Sequence, residues 1–235
     1  AAAPKLLAMS SRVAMRVTIR PRRDIRAQQD ATSDRIASEH SAASSAAPIE
    51  HEDVMSMTTV APTRNDVTIS GIGGLGHIAV QYARAMGMRV AAVDVDDAKL
   101  ELARRHGAEV TVNAATTDPG EAIQAATGGT HGVLVTAVHP RAFDQALKVV
   151  RRGATIVFNG LPPGTFDADI FDIVLRVITI RGSIVGTRQD MIEALDFYAR
   201  GEIHPTVAVE SLDDINDIFE RMEHGKIDGR IVMTY

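Results

Sequence analysis

The chain has 235 residues, a formal net charge of −5 and no cysteine. Without cysteine it can form neither a disulfide nor a thiolate zinc site. The charge is uneven, because residues 1–30 carry a net +5 and residues 31–235 therefore carry −10. An acidic main part argues against a broad nucleic-acid surface, and the lack of an apolar run of about 18 residues argues against a membrane span. We therefore expect a cytoplasmic protein with no nucleic-acid partner and no membrane partner.

Residues 1–65 differ in composition from the rest of the chain. Arginine recurs between positions 12 and 26, and residues 31–47 are rich in alanine and serine. Such a composition buries too little apolar area to offset chain entropy, so we predict a disordered leader with one strand-like alternation at 13–19. An organelle transit peptide is the alternative for this arginine-rich start. Whether the leader is native, a targeting segment or an artefact stays open.

A glycine-rich turn follows the apolar run Val67–Ser70. Its residues are Gly71, Ile72, Gly73, Gly74, Leu75 and Gly76. The first N–H groups of a helix are unpaired and can point at a pyrophosphate. In such a turn Gly71 allows the bend, Gly73 lets the backbone approach the phosphates, and Gly76 lets helix and strand pack closely. The pattern predicts a dinucleotide-binding βαβ unit that ends at Asp94.

Asp94 ends the second apolar run, Arg89–Asp94, after a predicted helix with Gly87 near its C-terminus. A carboxylate at this distance from the glycine turn can accept hydrogen bonds from the adenosine ribose hydroxyls. It would repel the 2′-phosphate of NADP, and no arginine follows in residues 95–99, so NAD is favoured. Two alternatives remain: a structural loop without ligand, and an S-adenosylmethionine methyltransferase.

The remainder alternates between helical and extended patterns. We predict helices at about 96–106, 119–126, 140–151, 170–177, 189–200 and around Leu212–Met222, and strands at about 109–112, 132–137, 154–158, 178–185 and 231–233. Strands that alternate with helices indicate an α/β fold with a Rossmann-type doubly wound parallel sheet. We divide the chain into the leader at 1–65, an NAD-binding domain at 66–200 and a C-terminal segment at 201–235.

Several stretches together resemble one known family. They lie at 71–77, 79–86, 93–99, 129–133, 160–164, 182–188 and 229–232. Over about residues 67–235 the chain is similar to the NAD-binding and C-terminal half of zinc-dependent medium-chain alcohol dehydrogenases of the bacterial and yeast type. The resemblance implies an NAD-dependent oxidoreductase that oxidises a primary or secondary alcohol by hydride transfer, with the alkoxide held on zinc.

The resemblance also implies site residues. It assigns the pyrophosphate to Gly71, Gly73, Gly74, Leu75, Gly76 and Arg230, the adenosine ribose to Asp94 and Lys99, and the nicotinamide to Val138, Leu161 and Val185. For Lys99 and Arg230 the alternative is an ordinary solvated surface charge. In the family the segment matching 201–235 packs back on the catalytic lobe, and the edge strand matching Ile178–Val185 pairs with its copy, so we expect a homo-oligomer.

The chain also departs from the family. Members carry an amino-terminal lobe with two cysteines and a histidine around the catalytic zinc, and this chain has no such set, so we assign no metal ligand and no catalytic residue. Asn159 stands where a small apolar residue is usual. His77, His106 and His131 lie beside glycines, and we predict surface or capping roles for them rather than ligation. The alternative function is a catalytically silent NAD(H)-binding module or a truncated or fused gene product.

Overall fold

The computed structural model describes residues 64–235. The predictions made for residues 1–63 fall outside the described residues. The strands are β1 (Asp66–Ser70), β2 (Arg89–Asp94), β3 (Val110–Asn113), β4 (Thr130–Val135), β5 (Val150–Phe158), β6 (Thr179–Gly182), β7 (Val207–Ser211) and β8 (Arg230–Thr234). The helices are α1 (Gly76–Ala85), α2 (Asp97–Arg105), α3 (Pro119–Thr127), α4 (Pro140–Val149), α5 (Ile170–Arg176), α6 (Arg188–Ala199) and α7 (Ile215–Glu223), with a 3₁₀ turn at Leu212–Asp214 before α7.

Six strands form one sheet in the order β3-β2-β1-β4-β5-β6, and every pairing is parallel. The strand order reverses between β1 and β4. In sheets of this kind the ligand crevice lies outside the carboxyl ends of the strands at that reversal. The predicted α/β fold with a Rossmann-type doubly wound parallel sheet is therefore confirmed, and β1 ends where a cofactor would be expected.

Alternate residues of the central strands face two separate apolar layers, as the twofold period of a strand requires. Ile69 packs with Ile78, Tyr82 and Leu100 on one face. The opposite face holds Val133, Ile156, Phe143 and Leu147, which belong to a second cluster. All five residues of β1 are buried, because helices cover both sides of the central strand.

Two boundaries differ from prediction. Helix α4 ends at Val149 and β5 begins at Val150, four residues before the predicted strand, because Val150 pairs with Thr130 ahead of a register shift. At the other edge, β6 is confined to Thr179–Gly182 although the apolar pattern runs to Val185. Val185 itself has a φ of 43°, in the left-handed region, so it cannot continue a strand.

A second, two-stranded parallel sheet joins β7 to β8. β8 contains the predicted strand at 231–233, whereas β7 was not predicted, because its five residues pair with nothing nearer in sequence than β8. The proposed boundary between residues 200 and 201 stays a prediction. Within the described part of the chain, no helix is long and apolar enough to cross a membrane.

Candidate dinucleotide-binding site

A cavity of about 870 Å³ lies at the carboxyl ends of β1, β2 and β4. Of the predicted site residues, it is lined by Gly71, Gly73, Gly74, Leu75, Asp94, Lys99, Val138 and Arg230. Three predicted residues are not among the lining residues. Gly76 lies behind the turn at the start of α1, while Leu161 and Val185 are 76% and 59% exposed elsewhere on the surface. The structure thus brings the predicted pyrophosphate and ribose residues together, but only one of the three predicted nicotinamide residues lies with them.

The cavity also includes residues that the sequence did not single out. They are Thr136, His139, Arg141, Met222 and Ile227, among others. Thr136 could have been noticed, since it follows β4, and polar residues at the carboxyl ends of parallel strands often meet ligands. Met222 reaches the cavity from the last turn of α7, and Ile227 reaches it from the segment between α7 and β8. Nothing local in the sequence indicates that this segment returns to the glycine turn.

The glycines of the turn meet different surroundings. Gly71 has φ 92°, and a Cβ there would lie 2.5 Å from the Ala137 backbone nitrogen. A Cβ on Gly76 would lie 1.8 Å from the Gly71 carbonyl oxygen. A Cβ on Gly73, by contrast, would meet nothing within 4 Å. The protein's own backbone thus requires glycine at 71 and 76, whereas Gly73 leaves open space beside the cavity.

The Asp94 carboxylate holds the glycine turn from the end of β2. Its Oδ2 accepts a hydrogen bond from the Ile72 backbone N–H at 2.6 Å. Its Oδ1 accepts from the backbone N–H groups of Val95 and Asp96, at 2.8 and 3.1 Å. A carboxylate has about four lone-pair sites, so three donors leave room for about one more, at Oδ2. Asp94 therefore has a structural contact with the turn that the sequence did not predict.

Lys99 lies in α2, whose N-cap is Asp96. A Cβ on Gly225 would lie 3.7 Å from Lys99 Nζ. The ammonium group therefore lies close to the loop that follows α7, and both Lys99 and Asp94 line the cavity. A cation and a carboxylate are thus both available at the predicted ribose position.

Arg230 reaches the glycine turn from the start of β8. Its guanidinium lies against Gly74, because a Cβ on that glycine would be 2.1 Å from Arg230 Cζ. Its Nε is buried and has no hydrogen-bond partner within residues 64–235, and no ion pair with Arg230 is found among them. Burial lowers the pKa of Arg230 from its usual value. A partly buried cation with no acidic partner among residues 64–235 is unfavourable, so this end of the cavity fits an anionic ligand.

His77 is fully buried, so the prediction that it is a surface residue is wrong. Its Nδ1 lies 3.0 Å from the Gly73 carbonyl oxygen, and its Nε2 lies 3.3 Å from the Thr206 backbone nitrogen. Burial lowers the pKa of His77 to about 4. The adjacent Gly76 marks the start of a helix, but the segment before β7 covers that helix end, and this long-range contact is not visible in the sequence.

The other two histidines lie partly buried. His106 is the C-cap of α2, as a capping role predicts, and burial lowers its pKa too. His131 lies inside β4 rather than at its end, and its Nδ1 accepts a hydrogen bond from the Asp66 backbone N–H at 3.0 Å. Its side chain is 23% exposed, so His131 is a partly exposed strand residue that contacts the start of β1 and caps no helix.

A zinc site of the expected kind does not fit the described residues. Within residues 64–235 no group of three or more histidine, aspartate or glutamate side chains could hold a metal ion, and the chain has no cysteine to provide thiolates. A tetrahedral catalytic zinc needs three protein ligands that converge. We therefore assign no step of the chemistry to a metal held by these residues.

A doubly wound parallel sheet with a glycine turn at its strand reversal defines a Rossmann dinucleotide-binding fold. The chain belongs to the zinc-binding dehydrogenase family, because the model of that family matches residues 74–200. This confirms the predicted resemblance.

The relatives are alcohol dehydrogenases by name. One from Moraxella sp. (strain TAE123) is 64% identical over 169 residues, which are 72% of this chain and 50% of the relative. One from Geobacillus stearothermophilus is 53% identical over 167 residues, or 71% and 49% of the two chains. The chain thus spans about half the length of the relatives it matches.

Solved structures show the same relation. The alcohol dehydrogenase from the hyperthermophilic archaeon Aeropyrum pernix superimposes with a TM-score of 0.68 and 31% identity, over 73% of this chain and 50% of the other. Acetophenone reductase from Geotrichum candidum, solved in complex with NAD, gives a TM-score of 0.64 and 34% identity, over 73% and 48%.

Proposed function

We propose that residues 64–235 bind NAD(H), as the cofactor-binding half of a protein that transfers hydride between NAD and a primary or secondary alcohol. The observation that carries the proposal is the Arg230 guanidinium, which lies against the glycine turn at Gly74 with a buried Nε and no acidic partner among residues 64–235. A pyrophosphate would supply that anion. The family membership and the NAD complex of the acetophenone reductase support the same cofactor.

The proposed orientation of NAD follows from the charges along the cavity. The pyrophosphate lies between Arg230 and the backbone at Gly73, where a side chain would block its approach. The adenosine ribose lies at Asp94 and Lys99, with one hydroxyl donating to the free site on Oδ2. The nicotinamide extends toward Val138. Contacts from Leu161 and Val185 are part of the proposal, although both residues are exposed and outside the cavity lining.

In this proposal the residues of the chain bind and orient, and the cofactor supplies the hydride chemistry when it is bound. The Asp94 carboxylate and the Arg230 cation fix the two ends of the adenosine diphosphate part. That anchoring sets where the nicotinamide ring is presented, and an oriented ring is the contribution of this half to hydride transfer.

Cofactor choice tests the proposal. NADH should bind more tightly than NADPH, because the Asp94 carboxylate would repel a 2′-phosphate. Asp94→Ala should narrow the difference by weakening NADH binding, and thermal melting should be recorded with it, because Asp94 also holds the glycine turn. Asp196→Ala, at an exposed carboxylate of α6, is the control and should leave both affinities unchanged. Equal affinities for NADH and NADPH in the unsubstituted chain would contradict the assignment.

The second candidate function is a catalytically silent NAD(H)-binding module. The observation that favours it is the missing zinc ligand set within residues 64–235, together with a chain without cysteine. The silent module should bind NADH, contain far less than one zinc per chain, and oxidise ethanol or 1-propanol no faster than a buffer control. Stoichiometric zinc, with turnover that chelation abolishes, would instead establish an active dehydrogenase.

We also propose a small-molecule alcohol or aldehyde substrate and a homo-oligomer. Strand β6 is an edge strand of the sheet, and all four of its residues are exposed, as are Ile184 and Val185 beyond it. An uncovered apolar edge strand tends to find a partner strand. Sedimentation at micromolar concentration should give a dimer or a larger assembly, and a strictly monomeric mass would contradict this proposal.

A further inference from the structure

His77 connects two elements that meet beside the proposed pyrophosphate site. Its side chain projects from the first turn of α1, immediately after the glycine turn. On one side Nδ1 lies 3.0 Å from the Gly73 carbonyl oxygen. On the other side Nε2 lies 3.3 Å from the backbone nitrogen of Thr206, which is 129 residues further along the chain. One fully buried imidazole therefore spans the gap between the glycine turn and the C-terminal segment.

The partners determine the tautomer. The Thr206 backbone N–H can only donate, so Nε2 must carry a lone pair. In a neutral ring Nδ1 then carries the proton and donates to the Gly73 carbonyl oxygen. Burial, the nearby His106 of α2 and the Arg230 cation at β8 all lower the pKa of His77, which keeps the ring neutral near pH 7. The imidazole thus has one donor and one acceptor, and each faces the complementary group.

The backbone of Thr206 also contacts Arg230. The Thr206 carbonyl oxygen accepts a hydrogen bond from the Arg230 backbone N–H at 2.9 Å. The two hydrogen bonds of the Thr206 backbone therefore join His77 to the residue whose guanidinium lies against Gly74. Beyond Thr206, residues 207–211 pair with β8 from Arg230 onward, so strand pairing also connects the segment to the arginine.

The same segment has a second attachment that does not involve His77. The Gln81 side chain accepts from the His204 backbone N–H at 2.6 Å and donates to the His204 carbonyl oxygen at 3.1 Å. His204 in turn lies near enough to His106 for its charge to lower the pKa of His106. Because Gln81 holds the segment to α1 independently, loss of the His77 contact should shift Thr206 without unfolding the C-terminal part.

We propose that His77 is a positioning residue for cofactor binding: its acceptor nitrogen holds Thr206, and through Thr206 it places Arg230 at the pyrophosphate site. The inference rests on the proposed function, because it assigns Arg230 an anionic ligand. It adds a residue that does not touch the cavity itself. The imidazole acts through two hydrogen bonds that the glycine pattern does not indicate.

Two conservative variants separate the two contacts of the ring. In His77→Gln the side-chain carbonyl reaches about as far as Nε2 and can accept from Thr206. In His77→Asn the amide ends near the position of Nδ1 and can donate only to Gly73. Loss of one neutral hydrogen bond corresponds to about a three- to tenfold weaker affinity. Fluorescence titration should show NADH binding weakened by that factor in His77→Asn and within about twofold of the parent in His77→Gln.

A matched control comes from α7. His224 Nδ1 makes the same contact with the carbonyl oxygen four residues earlier, at Glu220, and it is exposed. His224→Asn should leave NADH affinity unchanged. A second arm uses Arg230→Met as the background. If His77 acts through Arg230, adding His77→Asn there should weaken NADH binding no further, because non-additivity reports a shared path.

The outcomes separate the inference from the proposed function. An unsubstituted chain that fails to bind NADH would overturn the proposed function and this inference with it. Two results in a chain that binds NADH would overturn the inference alone. One is an equal loss of NADH affinity in His77→Asn and His77→Gln. The other is an equal loss on adding His77→Asn to the unsubstituted chain and to Arg230→Met. Nitrogen NMR of the unsubstituted chain should show His77 protonated at Nδ1. Protonation at Nε2 would overturn the inference even if a variant failed to fold.

Discussion

The two ends of the cavity treat charge in opposite ways. At the proposed ribose end, the Asp94 carboxylate accepts three backbone hydrogen bonds and is largely satisfied without a ligand. At the proposed pyrophosphate end, the partly buried Arg230 guanidinium lies against Gly74, and its Nε has no partner among residues 64–235. The first charge contributes to the fold of the turn. The second is costly to the fold until an anion arrives.

This difference predicts which substitutions lower the stability of the fold and which weaken ligand binding. A group that the fold already satisfies should cost stability when it is removed, whereas a buried group without a partner should cost binding instead. Substitutions along the cavity should therefore divide into two kinds, those that lower stability and those that weaken ligand binding. Variants at both ends of the cavity test that division.

The glycines of the turn should give the largest contrast. In Gly76→Ala the new Cβ would lie 1.8 Å from the Gly71 carbonyl oxygen, so the backbone must move, and we expect a loss of about 3 kcal/mol or more in the free energy of unfolding. In Gly73→Ala the Cβ meets nothing within 4 Å, and the stability should change by less than about 0.5 kcal/mol. Urea titration measures both.

The same pair of variants should behave in the reverse order toward the ligand. Gly73→Ala should melt like the parent and yet bind NADH weakly, because the methyl group fills the space where the phosphates approach the backbone. Parent-like NADH affinity in a well-folded Gly73→Ala protein would show that the open space beside the turn is not the phosphate site.

The next largest effect should come from lowering the pH, which should reduce the free energy of unfolding. The pKa of His77 is lowered from 6.5 to about 4 in the folded chain. Between those pH values His77 binds a proton in the unfolded chain but not in the folded chain. Its contribution to the free energy of unfolding is therefore fully present above about pH 6.5 and is lost as the pH is lowered toward 4. The shift corresponds to about 3 kcal/mol. His106 shifts in the same direction and adds to the slope.

Carboxylates also titrate at the acidic end of this range, so the measurement must be a difference. Urea titrations of the parent and of His77→Gln at several pH values between 7 and 4 isolate the contribution of the imidazole. The difference in free energy of unfolding should shrink or change sign as the pH falls, because the variant has no imidazole to protonate. Parallel curves for the two proteins would show that His77 titrates alike in the folded and unfolded chains.

The sequence predicted the unit from the glycine turn to Asp94 far better than the part of the cavity that the C-terminal segment contributes. Gly71 to Asp94 is a continuous local unit, and its glycine spacing, helix and second strand are each visible in the residues themselves. The resemblance to the family added Arg230, which composition alone would have left as a surface charge. The residues that support Arg230 could not be predicted, because His77 and Thr206 are distant in sequence and β7 is too short to indicate its pairing.

The nicotinamide positions mark a further limit. Leu161 and Val185 were assigned by resemblance, and both are exposed outside the cavity lining, whereas Val138 lines the cavity although it too is exposed. The chain spans about half the length of its relatives. A contact that depends on the surroundings of a residue cannot be inferred from the residue alone.

Arg230→Met gives the smallest expected change in stability and the most direct test of the division. Methionine keeps most of the apolar stem and removes a partly buried cation that has no acidic partner among residues 64–235, so the thermal midpoint should stay the same or rise. NADH should bind about 10- to 100-fold more weakly, since a charge-assisted contact to the pyrophosphate is lost.

Arg221→Met is the matched control, because that arginine pairs with Glu210 and Asp217 outside the cavity. The control should leave NADH affinity unchanged, and calorimetry and NADH titration on both variants measure the two effects. A fall in melting temperature with unchanged NADH affinity in Arg230→Met would mean that this arginine belongs to the fold, as Asp94 does, and that the two ends of the cavity do not differ.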